Sequence, residues 1–280
     1  MEQSIKIGIC SLLWSNPNGE KLIPWLEEVK ELGYDGVSGF ADWGWESYLS
    51  DGLEFQRILA GHGLELASMI SGLHFNFDRY RKLFTFMQAN YCENLVCLGA
   101  FGKGKNDFEA LGKFLNYLGR EARQYGIYVH YHNHTDNTGE SFADMETLLD
   151  VTDPAWVSVM CDVGHATKDF HELPVQDRAV SFMETYRERL RFIELKDYSE
   201  ETGLNTPLGE GNCNFEGVFK SIKALTYKGW IVVEQNGHEG KSRGREPREC
   251  AAISRQYIKQ GLGHERVKKK VSWSNGIDGN

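Results

Sequence analysis

The chain has 280 residues, 41% hydrophobic and 25% charged, which suits a well-cored soluble protein and excludes a disordered or fibrous one. Its 31 basic and 40 acidic side chains leave a formal net charge of −9, so no nucleic-acid partner is expected. No apolar run reaches the roughly 18 residues of a membrane span, and six scattered cysteines are too few for a disulfide scaffold.

The start, Met1-Glu2-Gln3-Ser4, does not read as a signal peptide, so a cytoplasmic location is expected. The cysteines (Cys10, Cys92, Cys97, Cys161, Cys213 and Cys250) are read as mostly buried thiols, because Cys92 and Cys97 lack zinc-ribbon spacing. β-rich runs recur along the chain at Lys6–Cys10, Gly36–Gly39, Glu65–Ile70, Asn94–Leu98, Tyr128–His132, Val157–Asp162, Arg191–Leu195 and Trp230–Gln235. Between them lie helical stripes: Leu22, Trp25, Leu26, Val29 and Leu32, ended by Gly33; Phe108, Leu111, Leu115, Leu118 and Ala122, ended by Gly126; and Phe215, Val218, Phe219, Ile222 and Leu225, ended by Gly229.

Strand–helix alternation implies parallel strands joined by right-handed crossovers. Eight units in about 260 residues predict a single (β/α)8 TIM barrel over residues 1–262. A doubly wound open sheet competes, but no GxGxxG follows the first strand, where the sequence reads Ile9-Cys10-Ser11-Leu12-Leu13-Trp14. Residues 263–280, with Lys268, Lys269 and Lys270 in a row, read as a polar tail, either mobile or packed on a second subunit of a homo-oligomer.

Alternate residues of a barrel strand face the interior. On the last four strands Val129, Tyr131, Val157, Val159, Cys161, Ile193, Leu195, Ile231 and Val233 fall on the helix side. His130, His132, His134, Ser158, Met160, Asp162, Phe192, Glu194, Lys196, Val232, Glu234 and Asn236 fall on the inward set. His132, Asp162, Glu194 and Glu234 thus stand near the carboxyl ends of successive strands, spaced 30, 32 and 40 residues apart. Carboxylates converging in a dry barrel mouth repel, and a divalent cation relieves that repulsion. One imidazole and three carboxylates suit Mn²⁺, Mg²⁺, Co²⁺, Fe²⁺ or Zn²⁺. The competing reading pairs each group privately: Glu194 with Lys196, Asp162 with His165, His132 with a backbone carbonyl.

Further candidates flank this set. His165 follows its strand, where a loop residue can reach substrate or brace a ligand. Lys196 can polarise a substrate oxygen or neutralise Glu194, His134 can be a ligand, a proton shuttle or a substrate donor, and His130 reads as a core histidine. Trp14, Trp43, Trp45, Phe75 and Phe77, with His74 among them, can cover the apolar face of a sugar or pack a lid. Lys241, Arg243, Arg245 and Arg248 form a basic loop that can take an anionic substrate group or stay solvated.

Five segments, in order and spacing, resemble the xylose isomerase-like (sugar phosphate isomerase/epimerase) TIM-barrel superfamily over about residues 5–262. They are Gly33-Tyr-Asp-Gly-Val37, Asp162-Val-Gly-His165, Leu195-Lys196-Asp197, Gly209-Glu-Gly211-Asn-Cys-Asn-Phe215 and Val232-Val-Glu234. Tyr131-His132-Asn133-His134 is similar to the inosose dehydratase branch. The resemblance implies one divalent metal held by His132, Asp162, Glu194 and Glu234. Two positions depart from it: Glu194 stands where histidine usually precedes x-Lys-Asp, and Ser38 stands where the second strand often carries glutamate.

The implied chemistry is removal of the proton beside a carbonyl chelated by the metal, with Glu234, Glu194 or His134 as base. The expected activity is isomerisation or epimerisation of a small sugar or polyol-derived carbonyl compound. Inosose-type dehydration is the first alternative, and a non-catalytic sugar-binding or assembly barrel the second.

Overall fold

In a computed structural model, residues 5–99, 102–237, 242 and 244–263 are described. Strands β1 (Lys6–Cys10), β2 (Gly36–Phe40), β3 (Glu65–Gly72), β4 (Asn94–Leu98), β5 (Tyr128–His132), β6 (Val157–Asp162) and β7 (Leu190–Leu195) follow in chain order. A short hairpin, β8 (Asp197–Ser199) and β9 (Gly203–Thr206), comes next, then β10 (Trp230–Val233). Strands β1 to β7 and β10 form one closed barrel, with β10 seated between β7 and β1. Every barrel pairing is parallel. The single (β/α)8 barrel is therefore the fold, and the open sheet is excluded.

Helices α1 (Leu22–Glu31), α2 (Gly52–Gly61), α3 (Phe77–Ala89), α4 (Lys105–Arg123), α5 (Phe142–Asp150), α6 (Val163–Asp169), α7 (Arg178–Thr185) and α8 (Phe215–Ala224) lie between the strands, and α9 (Pro247–Leu262) follows the last one. The stripes read from the sequence are the buried faces of α1, α4 and α8, except that Leu32 and Leu225 are partly buried caps just past their helices and α8 ends at Ala224, ahead of Gly229. Gly33 and Gly126 follow α1 and α4 with φ of 82° and 76°, a left-handed turn that a side chain would strain.

The expected alternation along the strands divides the apolar core in two. Val129, Tyr131, Val157, Val159, Cys161, Ile193, Leu195, Ile231 and Val233 belong to the large layer between sheet and helices. Cys10, Leu12, Ala67, Ile70, Val96, Met160, Phe192 and Val232 fill the barrel itself. His130 lies in that interior, stacked on Phe192 with ring centroids 5.6 Å apart and joined to Asn94 Oδ1 at 3.0 Å. It is the core histidine expected.

Four local readings are corrected. β10 ends at Val233 rather than Gln235: the Glu234 amide makes a last bond to the β7 carbonyl of Leu195, and the Asn236 amide turns to the carbonyl of Leu204 in the hairpin. His165 is not in a loop: α6 begins directly after Asp162, and His165 is buried in its first turn. Trp45 is not at the mouth but fully buried, its indole against Trp25 and Phe55 and its N–H bonded to the Pro17 carbonyl. The β8–β9 hairpin was not anticipated. The polar tail beyond Gly263 lies outside the described residues, and no described helix is long and apolar enough to cross a membrane.

Candidate active site

Asp162 does two jobs with its two oxygens. It ends β6 and caps α6, Oδ1 accepting the His165 amide at 2.9 Å, as an N-cap aspartate should. Asn133, the residue after β5, braces it: its side chain donates to the Asp162 carbonyl (3.0 Å) and accepts from its amide (2.8 Å). Oδ2 is thereby left facing the barrel mouth, 3.2 Å from His132 Nε2 and 3.2 Å from Lys196 Nζ.

Lys196 is fully buried, and its ammonium is surrounded by acids. Nζ donates to Glu234 Oε1 at 2.6 Å and stands 3.2 Å from Asp162 Oδ2 and 3.5 Å from Glu194 Oε1. The glycine of Asp162-Val-Gly-His165 makes room for this chain, since a Cβ on Gly164 would sit 2.8 Å from Lys196 Cγ. Burial works against the ammonium, yet Asp162, Glu234 and Glu194 outweigh it and hold the lysine above its ordinary range.

Burial also raises each carboxyl, but the charges around them separate the outcomes. The Lys196 charge, with the hydrogen bond to His132, draws Asp162 well below the usual range. Lys196 and a hydrogen bond with the Cys10 thiol draw Glu234 down as well. Glu194 moves up instead, because burial and the Glu234 charge exceed what Lys196 returns.

The histidines make a second wall. The His134 and His165 rings lie 4.0 Å apart, and His132 is 5.3 Å from His134. His134 Nδ1 is 2.6 Å from the Thr135 carbonyl, which can only accept, so Nδ1 carries the proton and Nε2 keeps its lone pair. Burial, then the neighbouring His165 and His132, depress its pKa to about 3. The Thr135 amide donates to His165 Nδ1, which assigns the proton to Nε2, and burial keeps this imidazole neutral. Nε2 of His165 is buried with no hydrogen-bond partner.

His132, Asp162 and Glu194 each offer one ligand atom, all within 4.8 Å of one another. Glu194 Oε1 and Glu234 Oε2 are buried without a hydrogen-bond partner. Three acids against a single ammonium leave negative charge in a dry site, which a divalent cation would balance. The donors therefore fit such an ion. Glu234, expected as a fourth ligand, stands outside this three-residue group with one oxygen committed to Lys196.

The outer candidates do not converge on this point. Trp14 donates its indole N–H to Glu28 Oε1 and packs edge-on against Trp25. His74 Nε2 lies 3.0 Å from Asp42 Oδ1, a carboxylate also bound by Arg79 and by the Ser71 hydroxyl. Trp43 and Phe75 are exposed. In the basic loop, Arg245 pairs with Glu210 and Arg248 with Glu31, while Lys241 and Arg243 lie outside the described residues. Cys10 and Asn133 were missed as site residues, since a buried thiol and a loop amide carry no spacing signal of their own.

The model of xylose isomerase-like TIM barrels matches residues 26–260. The chain belongs to that family.

Within the family, the chain is 25% identical to an inosose dehydratase of Mesomycoplasma hyopneumoniae (strain 7448), over 97% of this chain and 98% of that one. A D-allulose 3-epimerase from Methylomonas sp. superposes with a TM-score of 0.74 at 16% identity, covering 93% of this chain and 99% of its own. A sugar phosphate isomerase/epimerase from Parabacteroides distasonis superposes with a TM-score of 0.72 at 19% identity, covering 91% and 96%. At family level the protein is an enzyme, an isomerase/epimerase or a lyase, rather than a non-catalytic barrel.

Proposed function

We propose that this xylose isomerase-like barrel is a divalent-cation-dependent lyase that removes water from a small polyol-derived ketone. One observation carries the reading: His132, Asp162 and Glu194 converge within 4.8 Å beside a carboxylate, Glu234, whose Oε2 has no partner. When bound by those three residues, the cation, one of Mn²⁺, Mg²⁺, Co²⁺, Fe²⁺ or Zn²⁺, supplies charge to the oxyanion that forms as the C–H beside a carbonyl is lost.

The chain's own groups then have distinct tasks. Lys196 fixes Glu234 through Oε1 and keeps it ionised, so Oε2 is the base that takes the carbon-bound proton. The electron pair left behind forms the C=C bond, the β C–O bond breaks, and the proton on Glu234 goes to the departing hydroxide as water. His165 Nε2–H donates to a substrate oxygen, and His134 Nε2 accepts from a substrate hydroxyl. Full-length similarity to the inosose dehydratase supports dehydration as the outcome, and six free cysteines support a cytoplasmic location.

Epimerisation or isomerisation is the second reading, favoured by Glu194 Oε1, a second carboxyl oxygen without a hydrogen bond, one stave away. Turnover of a cyclic inosose with Mn²⁺ in deuterated water separates the two. The lyase gives a product lighter by one water with enone absorbance. A product of unchanged formula, apart from solvent deuterium at carbon, replaces the lyase with the isomerase.

A further inference from the structure

The metal group and Lys196 use the same oxygens. Asp162 Oδ2 and Glu194 Oε1, which stand with His132 Nε2, are also the atoms 3.2 and 3.5 Å from Lys196 Nζ. The ammonium has little freedom to withdraw. It is fully buried, its third contact is the 2.6 Å bond to Glu234, and its stem fills the space that Gly164 leaves by lacking a Cβ. Two cations sharing carboxylate oxygens in a water-poor interior repel strongly, because neither solvent nor salt screens them.

We infer that Lys196 is a built-in competitor of the metal: its fixed ammonium partly satisfies Asp162 and Glu194, weakens divalent-cation binding, and holds Glu234 out of the ligand set as the base. The inference rests on the metal reading above and adds a role for a residue that the sequence offered only as a substrate contact or a neutraliser. The arrangement separates the acids by function. The three-residue group is kept assembled by an internal charge, and the fourth acid is reserved for proton transfer. Weak rather than tight cation binding follows, so the ion exchanges with solution instead of remaining trapped.

Mn²⁺ titration by calorimetry, on protein stripped with EDTA, tests this without any substrate. K196M is expected to bind Mn²⁺ at least tenfold more tightly than wild type, and K196R within about threefold of it. Far-ultraviolet circular dichroism and the Tm in EDTA report whether each variant is folded. If K196M does not fold, K196M/E234Q, which removes one buried acid together with the ammonium, is compared with E234Q alone, and the same tenfold tightening is expected. Equal or weaker Mn²⁺ binding in the lysine-free variant overturns the competitor role while the metal reading stands. Absence of Mn²⁺ binding in every protein, wild type included, overturns both.

Discussion

Glu234 is gripped on one oxygen and open on the other, which is what a positioned base requires. Glu234→Gln keeps the shape and can still accept from Lys196, but it cannot take a proton. Turnover should fall by about 10²- to 10⁴-fold, the usual worth of a general base, while the Tm stays within a few degrees. Near-normal kcat in a folded E234Q protein would remove this residue from the mechanism. At this scale the sequence was informative about position and silent about pairing. Two-residue alternation put His132, Asp162, Glu194 and Glu234 inward at the barrel's carboxyl end, where they are. It could not say that Lys196, with four rotatable bonds, reaches across to three of the acids, because that destination depends on the gap at Gly164 and on side chains at the carboxyl ends of β6 and β7 and just after β10. Nor could it say that Asp162 spends one oxygen on a helix cap.

At the level of elements, the segment after β7 depends on a neighbour of Lys196. The Asp197 carboxylate accepts the amides of Tyr198, Gly209, Gly211 and Cys213, tying the β8–β9 hairpin and the 207–213 loop to a single point. Gly211 approaches so closely that a Cβ there would sit 2.3 Å from Asp197 Oδ1. The Gly209-Glu-Gly211 motif read from the sequence is thus a consequence of this anchor. Charge-assisted bonds of this kind are worth about 1.5–3 kcal/mol each and are not additive, so Asp197→Ala should cost about 3 kcal/mol. Urea unfolding measures the loss, and limited proteolysis should cut first within 199–212. Unchanged stability together with unchanged protease resistance would show that the loop is held by other contacts. The hairpin itself was invisible in the sequence because its strands are three and four residues long and polar, below the length at which alternation means anything. The long staves and the helices with wide apolar faces were legible for the opposite reason.

For the whole molecule, the barrel interior carries a titratable group whose charge it cannot accommodate. Burial, followed by Arg191 and Arg123, lowers the pKa of His130 to about 3, against about 6.5 in an unfolded chain. Between those values the unfolded chain binds a proton that the folded one refuses. The contribution of His130 is therefore complete above about pH 6.5 and is lost progressively as the pH falls toward 3, at up to about 1.4 kcal/mol per unit. His130→Gln should show a shallower decline of unfolding free energy between pH 6.5 and 4 than wild type. Parallel curves for the two proteins would assign the acid lability elsewhere. Closure of the ring has a temporal consequence as well. β10, the last stave, zips against β1, the first, and Glu234 follows directly on that final strand. A nascent polypeptide leaving the ribosome has already supplied His132, Asp162 and Glu194 before the segment that bears Glu234 is translated. The ring cannot close until that last stave arrives between β7 and β1, so Glu234 joins the other acids only with the final strand.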